Sequence, residues 1–475
     1  MTLTTLDIIA LATAHLLSLV AAGNALLTKR DPRAALGWTA ALIFLPVAGL
    51  VIYLIFGIGR AQSRAEKIMR RYSDISGRYA QVEDRLKDTV LPTPEARDLD
   101  KLSRALSGLP LCGGNSITPL HNGDEAYPAM LEAIDAARNH VFLGTYIFNY
   151  GVAAKKFITA LDNAHKRGVD VRVLVDGVGS LYSWRKPVEI LARLGVRTTR
   201  FRPLTLFPPN LGINLRSHRK ILVCDNIAFT GGMNISDGNL IKLDKPEKGR
   251  IQDVQFRCEG PIVSELRRAF LLNWSFCTGE FTPLPPLAEA GQGTCACRVV
   301  IDGPGDDADA LYDIICGAVN MAHKTVTIMT PYFLPPSRLM AALRSAGQRG
   351  VDVRIILPGH NNLAFMSWGI ERILPELLQA GVRVWHQAPP FAHTKLLAVD
   401  GFYSLVGSAN MDSRSLLLNF ELDMEIYDKA FHDRLAAFML STLAKGREVT
   451  LKELQTLSLP ARLRNAAVWV FSPYL

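Results

Sequence analysis

The chain has 475 residues, a net charge of +9 and seven cysteines. A hydrophobic content of 49% excludes a disordered or fibrous chain. The few cysteines, with no Cys-x-x-Cys pair, argue against a disulfide scaffold and a structural zinc site, and they are expected to be reduced and buried. The positive charge is compatible with nucleic acid, anionic lipid or another phosphate-bearing substrate.

The N-terminal residues 1–59 contain two uncharged apolar stretches, 8–27 and 34–58. Each is long enough to cross a hydrocarbon core about 30 Å thick, so a pair of transmembrane helices is predicted. A cleaved signal peptide is an alternative for the first stretch, but no basic residue precedes it and a second apolar stretch follows. A buried core helix is an alternative for either stretch.

Basic residues predict the orientation of this hairpin. The loop between the stretches has three, whereas the segment 60–71 after the second stretch has five. Because basic residues favour the cytoplasmic side, both termini, and with them the part of the chain that follows, are predicted to be cytoplasmic.

Residues 60–109 are rich in charged side chains and poor in apolar ones. They are predicted to form a juxtamembrane helix and a linker. The basic beginning of this segment could contact anionic head groups or could lie on a solvated charged helix, and the sequence leaves both open.

The remainder of the chain contains an internal repeat. Residues 165–177 recur as residues 347–359, each preceded by an apolar run and a tyrosine-containing stretch. The order strand, helix, strand, helix, strand predicts an α/β fold of two pseudo-symmetric halves, 110–280 and 295–475. A segment rich in Pro and Gly connects them.

Each half carries the motif His-x-Lys-x4-Asp followed by Gly-x-x-Asn. The residues in the first half are His218, Lys220, Asp225 and Asn234, and those in the second half are His393, Lys395, Asp400 and Asn410. Two such motifs at equivalent places of a repeat cannot be attributed to chance.

The spacing indicates how these side chains come together. Residues i and i+2 of a strand face the same side, so each His projects with the Lys that follows it. The pairs Asp225-Asn226 and Asp400-Gly401 are predicted to form two-residue hairpin turns, and the returning strands bring Asn234 and Asn410 back beside the His-Lys pairs. Two His, two Lys and two Asn are therefore predicted to surround one pocket shared by the halves.

Such a pocket suits displacement at phosphorus. One imidazole can attack phosphorus while the other protonates the leaving oxygen and later deprotonates the incoming nucleophile. Two ammonium and two amide groups can neutralise the phosphoryl oxygens. No metal and no cofactor is expected, since the lysines supply the positive charge that Mg²⁺ provides in many phosphoryl-transfer enzymes.

These duplicated motifs resemble the phospholipase D superfamily. Residues 214–220, 231–237 and 408–421, together with the N-terminal hairpin, resemble bacterial cardiolipin synthases over essentially the whole chain. The resemblance implies two α/β/α halves with one active site. It also implies condensation of two phosphatidylglycerols into cardiolipin and glycerol through a phosphatidyl-histidine, with anionic phospholipids and a membrane as partners.

By the same resemblance His218 is the nucleophile and His393 the acid and base. From the turn positions, Asp225 and Asp400 are expected to be mainly structural. Asp253 and Glu421 lie on the following strands and are predicted to accept an N–H from the imidazoles. The first motif has five residues between its Asp and Gly and the second has six, which the first hairpin is expected to absorb. Asn149 and Tyr150 stand where an acidic residue is common in the family.

Four alternatives remain from the sequence. A phospholipase D-type hydrolase would use water as the acceptor, and a related transphosphatidylase would use phosphatidylethanolamine or another alcohol. A nuclease of the superfamily is disfavoured because no basic-aromatic run marks a nucleic-acid groove. A non-enzymatic membrane scaffold would need no His-Lys pair. Acceptor preference and oligomeric state are not determined by the sequence.

The C-terminal residues 460–475 end in an aromatic stretch after two arginines. An interfacial tail that touches the membrane is predicted, because Trp and Tyr favour the head-group boundary. A tail folded onto the second half to bury Trp469 and Phe471 is the alternative.

Overall fold

We describe the protein from a computed structural model. The structure describes residues 5–29, 32–54, 68, 72, 74–75, 91, 93–204, 214–243, 249–284, 291–303 and 309–472. The chain divides into two compact units, Met1–Ile68 and Met69–Leu475, which are treated separately below.

The described residues of the N-terminal unit contain three α-helices. They are α1 (Thr5–Thr28), α2 (Pro32–Phe44) and α3 (Pro46–Ile52). Among the residues that the structure describes, only α1 includes a segment long and apolar enough to span a membrane, Leu11–Thr28.

The second predicted span, 34–58, is therefore not one continuous helix. Pro46 has no amide hydrogen and disfavours a helical residue before it, so the helix breaks at Leu45. Residues 55–58 of that predicted span lie outside the described residues.

The three helices pack against one another through a few polar contacts. The Tyr53 hydroxyl donates to Asn24 Oδ1 at 2.8 Å, and Ser18 Oγ donates to the Leu42 carbonyl at 2.7 Å. The Trp38 and Tyr53 rings meet edge to face with centroids 5.3 Å apart. Asn24, which is costly in an apolar span, thus has a partner on the returning chain.

The larger unit contains the two halves of the repeat, preceded by helix α4 (Pro94–Ser107). The strands of the first half are β1 (Cys112–His121), β2 (His140–Thr145), β3 (Asp170–Asp176), β4 (Arg197–Phe201), β5 (Ile221–Cys224), β6 (Ile227–Gly231), β7 (Ile251–Gln252) and β8 (Val254–Glu259). Its helices are α5 (Asn122–Ala136), α6 (Val152–Lys166), α7 (Pro187–Arg193) and α8 (Ile262–Thr278).

The second half repeats this order and extends it. Its strands are β9 (Cys295–Ile301), β10 (Thr325–Met329), β11 (Phe333–Leu334), β12 (Asp352–Pro358), β13 (Arg383–Gln387), β14 (Phe391–Ala392), β15 (Leu396–Val399), β16 (Tyr403–Gly407), β17 (Met411–Asp412), β18 (Leu422–Tyr427) and β19 (Arg447–Glu448). Its helices are α9 (Ala310–Asn320), α10 (Ser337–Gln348), α11 (Ala364–Gln379), α12 (Ser413–Leu417), α13 (Lys429–Lys445), α14 (Leu451–Gln455) and α15 (Leu459–Val470).

The two halves share one mixed sheet of 15 strands in the described part of the chain. The antiparallel pair β1–β9 lies at its centre. Outward from this pair the order is β1-β8-β6-β5-β2-β3-β4 on one side and β9-β18-β16-β15-β10-β12-β13 on the other, where β19 is added at the edge. Equivalent strands thus occupy equivalent places, which is the pseudo-symmetry expected from the internal repeat.

Helices cover both faces of this sheet, as an α/β/α fold requires. In the first half α5 and α6 share an apolar core with β2 and β3, and Phe270 of α8 stacks on Phe142 with centroids 5.1 Å apart. In each half the outer strands are parallel and the inner ones antiparallel.

Helix α4, within the predicted linker 60–109, belongs to the globular unit. Its apolar face is buried, with Ala96 and Leu99 in the core of the second half. Ser103 donates to Glu425 at 2.8 Å, and Asp100 pairs with Arg298. The sequence prediction missed this packing because the charged residues of an amphipathic helix hid a short apolar stripe.

Candidate active site

The two motif histidines lie next to each other. Each precedes the strand that its own motif begins, β5 for His218 and β15 for His393. Their ring centroids are 6.4 Å apart, and their side chains are only 12% and 14% exposed. The structure thus brings together two residues that lie 175 positions apart in the sequence.

Each imidazole is fixed by a carboxylate from the other half. His218 Nδ1 lies 3.0 Å from Glu421 Oε2 and 3.0 Å from the Ser408 carbonyl oxygen. His393 Nδ1 lies 2.9 Å from Asp253 Oδ2. A carboxylate at Nδ1 selects the tautomer that carries its proton there, which leaves Nε2 as the reactive nitrogen.

Backbone hydrogen bonds also join each histidine to the opposite half. The His218 N–H donates to the Phe420 carbonyl at 2.9 Å, and the His393 N–H donates to the Gln252 carbonyl at 2.7 Å. The short parallel pair β7–β14 carries the second of these contacts. Each histidine therefore enters the site on a segment that the opposite half holds in place.

The motif lysines are almost completely buried below the histidines. Lys220 Nζ donates to the His218 carbonyl at 2.6 Å. Lys395 Nζ lies 2.9 Å from His393 Nδ1 and 3.0 Å from its Nε2. Burial lowers the pKa of Lys395 to about 8 and the pKa of Lys220 well below its ordinary value, partly offset by nearby carboxylates such as Glu421.

Burial and the lysines also keep the imidazoles neutral. The pKa of His393 falls to about 3, first because it is buried and then because Lys395 is adjacent. The pKa of His218 falls in the same direction, first because it is buried and then because of the positive charges of Lys220 and Lys395. A neutral imidazole retains the lone pair that a nucleophile needs.

The motif asparagines line the same pocket, a cavity of about 600 Å³. Asn234 Oδ1 accepts the Ile147 N–H at 3.0 Å, and Asn410 Nδ2 donates to Ser415 Oγ at 3.1 Å. Within the described part of the chain, the buried Asn410 Oδ1 has no hydrogen-bond partner. The pocket is also lined by Tyr146, Tyr182, Tyr332, Asp412, Arg414 and Asn419.

The motif aspartates lie at the opposite ends of these strands and do not line the pocket. Asp225 accepts the backbone N–H groups of residues 138–140 at 2.7 to 3.1 Å. Asp400 accepts those of residues 323–325 at 2.6 to 2.9 Å. The inclusion of Asp225 and Asp400 with the catalytic residues thus finds no support in their positions, whereas these hydrogen bonds fit the mainly structural role inferred from the turns.

The unequal motif spacing is absorbed by the turns. The first residue of β5, Ile221, pairs with Thr230, and the first residue of β15, Leu396, pairs with Val406. In both halves the motif glycine comes directly after this paired residue, so it has the same place relative to the His-Lys pair. The first hairpin closes between Cys224 and Ile227, and the second between Val399 and Tyr403, one residue longer. The sequence had indicated a two-residue turn pair in both halves, and this is correct only for the first.

Further buried acidic residues near the site were missed by the sequence prediction, among them Asp302, Asp412 and Asp423. Asp423 follows Glu421 by two positions on β18, and it pairs across the ladder with Gly407, whose hydrogen leaves room for the carboxyl group. Burial and the neighbouring Glu421 raise the pKa of Asp423 to about 8. The i, i+2 rule that placed each Lys beside its His could also have identified Asp423; the buried Asp302 gave no such signal.

Arg216 and Arg219, which flank His218 in the sequence, hold its segment of the chain in place. The Arg216 guanidinium pairs with Asp176 at 3.0 Å, and Asp176 also accepts the Ser217 N–H at 3.0 Å. Arg219 donates to the Glu421 and Asp302 carbonyls at 2.9 and 2.7 Å. Because Arg219 stands between His218 and Lys220, alternation directs it away from the pocket and across the junction of the halves.

A duplicated α/β half with paired His and Asn around one pocket, and a buried Lys beside each His, defines the phospholipase D class of phosphoryl-transfer proteins. The chain matches the family described as cardiolipin synthase, phospholipase D-like domain, over residues 130–270 and 315–442. Residues 16–57 match the phospholipase D-nuclease N-terminal family. The chain therefore belongs to the cardiolipin synthase family of phospholipase D-like proteins.

Curated relatives agree with this assignment. The chain is 31% identical over 460 residues to cardiolipin synthase A of Pectobacterium atrosepticum, covering 95% of this chain and 94% of that one. It is 32% identical over 451 residues to cardiolipin synthase A of Pseudomonas fluorescens, covering 93% of both. Phosphatidylserine synthase of Haemophilus influenzae has the same fold, with a TM-score of 0.61 at 14% identity over 80% of this chain and all of that one.

Proposed function

We propose that this chain transfers a phosphatidyl group from one phosphatidylglycerol to a second one, giving cardiolipin and glycerol. The observation that carries the proposal is the pair of imidazoles 6.4 Å apart, each held at Nδ1 by a carboxylate of the opposite half. This arrangement provides one nucleophile and one proton carrier on the two sides of a phosphodiester.

In the first step His218 Nε2 attacks the phosphorus of one phosphatidylglycerol. A nitrogen–phosphorus bond forms, and the phosphorus–oxygen bond to the head-group glycerol breaks. A proton from His393 moves to the oxygen of that glycerol. Free glycerol leaves, and a phosphatidyl group remains on His218.

In the second step a terminal hydroxyl of another phosphatidylglycerol gives its proton to His393 and its oxygen attacks the same phosphorus. The bond to His218 breaks, and cardiolipin is released. The proton lost by His393 in the first step is thus recovered in the second, so the enzyme returns to its starting state.

Substrate binding explains how His393 can carry a proton although its pKa is low in the empty site. Without a ligand, burial and Lys395 hold the pKa of His393 at about 3. A phosphodiester anion between Lys220 and Lys395 would offset their positive charge and raise the pKa of His393, so the acid form becomes accessible when the substrate is bound. The same cations stabilise the charge that develops on the phosphoryl oxygens.

The test uses the purified full-length protein with phosphatidylglycerol as the sole lipid. Mass spectrometry of the lipids and an assay of glycerol should show cardiolipin and glycerol in equal amounts. Phosphatidic acid as the main product would identify a hydrolase and overturn the proposed acceptor. His218→Gln is the matched inactive control, since it retains a polar side chain of similar length.

We also propose that α1 to α3 anchor the protein in the bacterial inner membrane, with the catalytic part on the cytoplasmic face. The apolar helix α1 and the excess of basic residues after position 59 support this topology. Membrane-impermeant labelling of a cysteine introduced at Lys429, whose side chain is 75% exposed, in right-side-out and inverted vesicles, tests it. Labelling only in right-side-out vesicles would contradict the cytoplasmic placement.

A further inference from the structure

A tryptophan at the end of the loop after β3 is almost completely exposed. Trp184 is 99% exposed, although Trp is among the side chains with the most to gain from burial. Two neighbours in the same loop are also open to solvent, Leu181 at 56% and Tyr182 at 64%. Leu181, Tyr182 and Trp184 are interrupted only by Ser183, and the joint exposure of three such large side chains indicates a contact surface.

Hydrogen bonds hold this loop in its shape. Asp176 Oδ1 accepts the N–H groups of Val178 and Gly179 at 2.8 and 3.1 Å. Ser183 Oγ accepts the Tyr150 N–H at 2.9 Å and donates to the Arg185 carbonyl. The buried Ser183 therefore fixes the loop from inside, and the outward position of Trp184 is part of its structure.

The loop lies at the mouth of the active-site pocket. Tyr182 lines the same cavity as His218 and His393. Leu363, which is 39% exposed, lines it from the second half, in the loop that follows the equivalent strand β12. We call Leu181, Tyr182, Trp184 and Leu363 the apolar rim; it has members from both halves of the repeat.

Basic side chains accompany the rim. The Arg185 guanidinium and the Lys155 ammonium lie 5.5 and 5.8 Å from the centre of the Tyr150 ring. Lys186 follows directly in the chain, within 4.0 Å of Glu189. An apolar and aromatic edge next to basic groups is complementary to an anionic lipid surface, where aromatic rings occupy the head-group level.

We infer that the apolar rim docks into the head-group layer of an anionic phospholipid bilayer and thereby opens the pocket at the depth of the phosphodiester. This inference rests on the proposed function, since a phosphatidyl group must reach His218 from the bilayer. Trp184 inserts beside the pocket, and Arg185 and Lys155 meet lipid phosphates. The contact is distinct from the N-terminal anchor, because it belongs to the catalytic unit.

The docking is tested directly by fluorescence quenching. The full-length protein is reconstituted in phosphatidylglycerol vesicles with and without brominated acyl chains, and wild type is compared with Trp184→Phe. Wild type is expected to contain a quenchable component that Trp184→Phe lacks. Equal quenching of the two proteins would overturn the inference, as would a Trp184→Phe protein that changed its oligomeric state, because the rim would then be covered by a second copy.

The activity of Trp184→Ser provides the second measurement. Because the Trp184 ring would be buried in the bilayer, its loss should lower activity on phosphatidylglycerol bilayers about tenfold. Activity on a short-chain phosphatidylglycerol below its micelle concentration should stay within about twofold. Leu440→Ser is the matched control, because Leu440 is 45% exposed on α13 and does not line the pocket; its activity should be unchanged on both substrates.

The outcomes separate the two proposals. An equal loss of Trp184→Ser activity on both substrates would show that the side chain serves the pocket or the fold, and would overturn the docking. If wild-type protein made no cardiolipin from either substrate, the proposed function would fail, while the quenching comparison would still decide whether Trp184 enters the bilayer.

Discussion

His218 of the first half is bound at 3.0 Å by Glu421 of the second, 203 residues further along the chain. Asp253 of the first half binds His393 of the second in the same way, at 2.9 Å. Neither half therefore contains both a motif histidine and the carboxylate that orients it. The duplication supplies more than a second copy of the motif, because each copy completes the other.

Glu421→Gln tests this crossing. The amide oxygen of Gln can accept the Nδ1–H of His218 but carries no negative charge to stabilise a positive imidazole, so kcat should fall about a hundredfold. Burial raises the pKa of Glu421 to about 7. As the pH falls through 7 the wild-type carboxylate gains a proton and loses the negative charge that stabilises a positive imidazole, so wild-type activity should decline on that side.

The pH profile distinguishes this role from a purely structural one. Glu421→Gln should lose the decline near pH 7 that Glu421 causes, since glutamine does not titrate; Asp423 and Lys395 titrate at about 8. Glu259→Gln is the control, because Glu259 is an exposed carboxylate on β8, paired with Arg257; its activity should match wild type. A Glu421→Gln protein with the wild-type pH profile would contradict the orienting role.

The second prediction concerns the covalent intermediate. A phosphatidyl ester of p-nitrophenol needs no proton for departure, because its leaving group is a weak base. With this substrate His393→Asn should release one equivalent of nitrophenol and then stall, since His393 is absent when the acceptor must be deprotonated. Mass spectrometry of the quenched protein should locate the phosphatidyl group on His218. An adduct found only on His393 in the wild-type protein would reverse the assigned roles.

The third prediction concerns the two histidines and metal ions. His218→Ala and His393→Ala should each abolish cardiolipin formation, whereas wild-type protein should retain full activity in EDTA. The reason is that Lys220 and Lys395, both buried in the site, supply the positive charge for the phosphoryl oxygens. Strict dependence on an added divalent cation would contradict this mechanism.

The sequence could predict the repeat and the shared pocket because both depend on local patterns. Strand alternation placed each Lys with its His, and the hairpins brought Asn234 and Asn410 back. The sequence also indicated Asp253 and Glu421 as partners of the imidazoles. Which carboxylate meets which histidine depends on how the two halves meet across β1 and β9, which no local pattern encodes. The break at Pro46 and the docking of α4 were missed because length and charge density outweighed one proline and one narrow apolar stripe.

The fourth prediction assigns Asp225 to stability. Burial raises its pKa, but hydrogen bonds from Arg138, His140 and Asn139 outweigh this and leave the pKa below its ordinary value. Asp225→Ala should cost about 2–4 kcal/mol, from these contacts and from the strain of an alanine at φ +49°. The lost stabilisation is present above the ordinary carboxyl pKa and disappears as the pH falls through the lower folded value.

Activity measurements complete that test. The remaining folded Asp225→Ala protein should turn over within about threefold of wild type, because the residue lies away from the pocket. Asp400→Ala, with its three equivalent N–H contacts, should behave in the same way. A hundredfold loss of turnover at unchanged melting temperature would show instead that these aspartates act in the chemistry.

The last prediction concerns the C-terminal helix α15. It is held on the second half by Asn465, which donates to Glu371 at 2.7 Å. Trp469 near its end and Phe471 directly after it remain 42% and 56% exposed. The helix is thus docked without burying these rings, which favours the predicted contact with lipid over a purely structural tail. Replacing Val470 and Phe471 together by Ser leaves the Asn465 contact in place. Activity on phosphatidylglycerol vesicles should then fall about fivefold, while activity on detergent-solubilised lipid should stay near wild type, since about 1 kcal/mol of interfacial burial is lost. An equal loss in both assays, accompanied by a lower melting temperature, would assign the helix end to the fold instead.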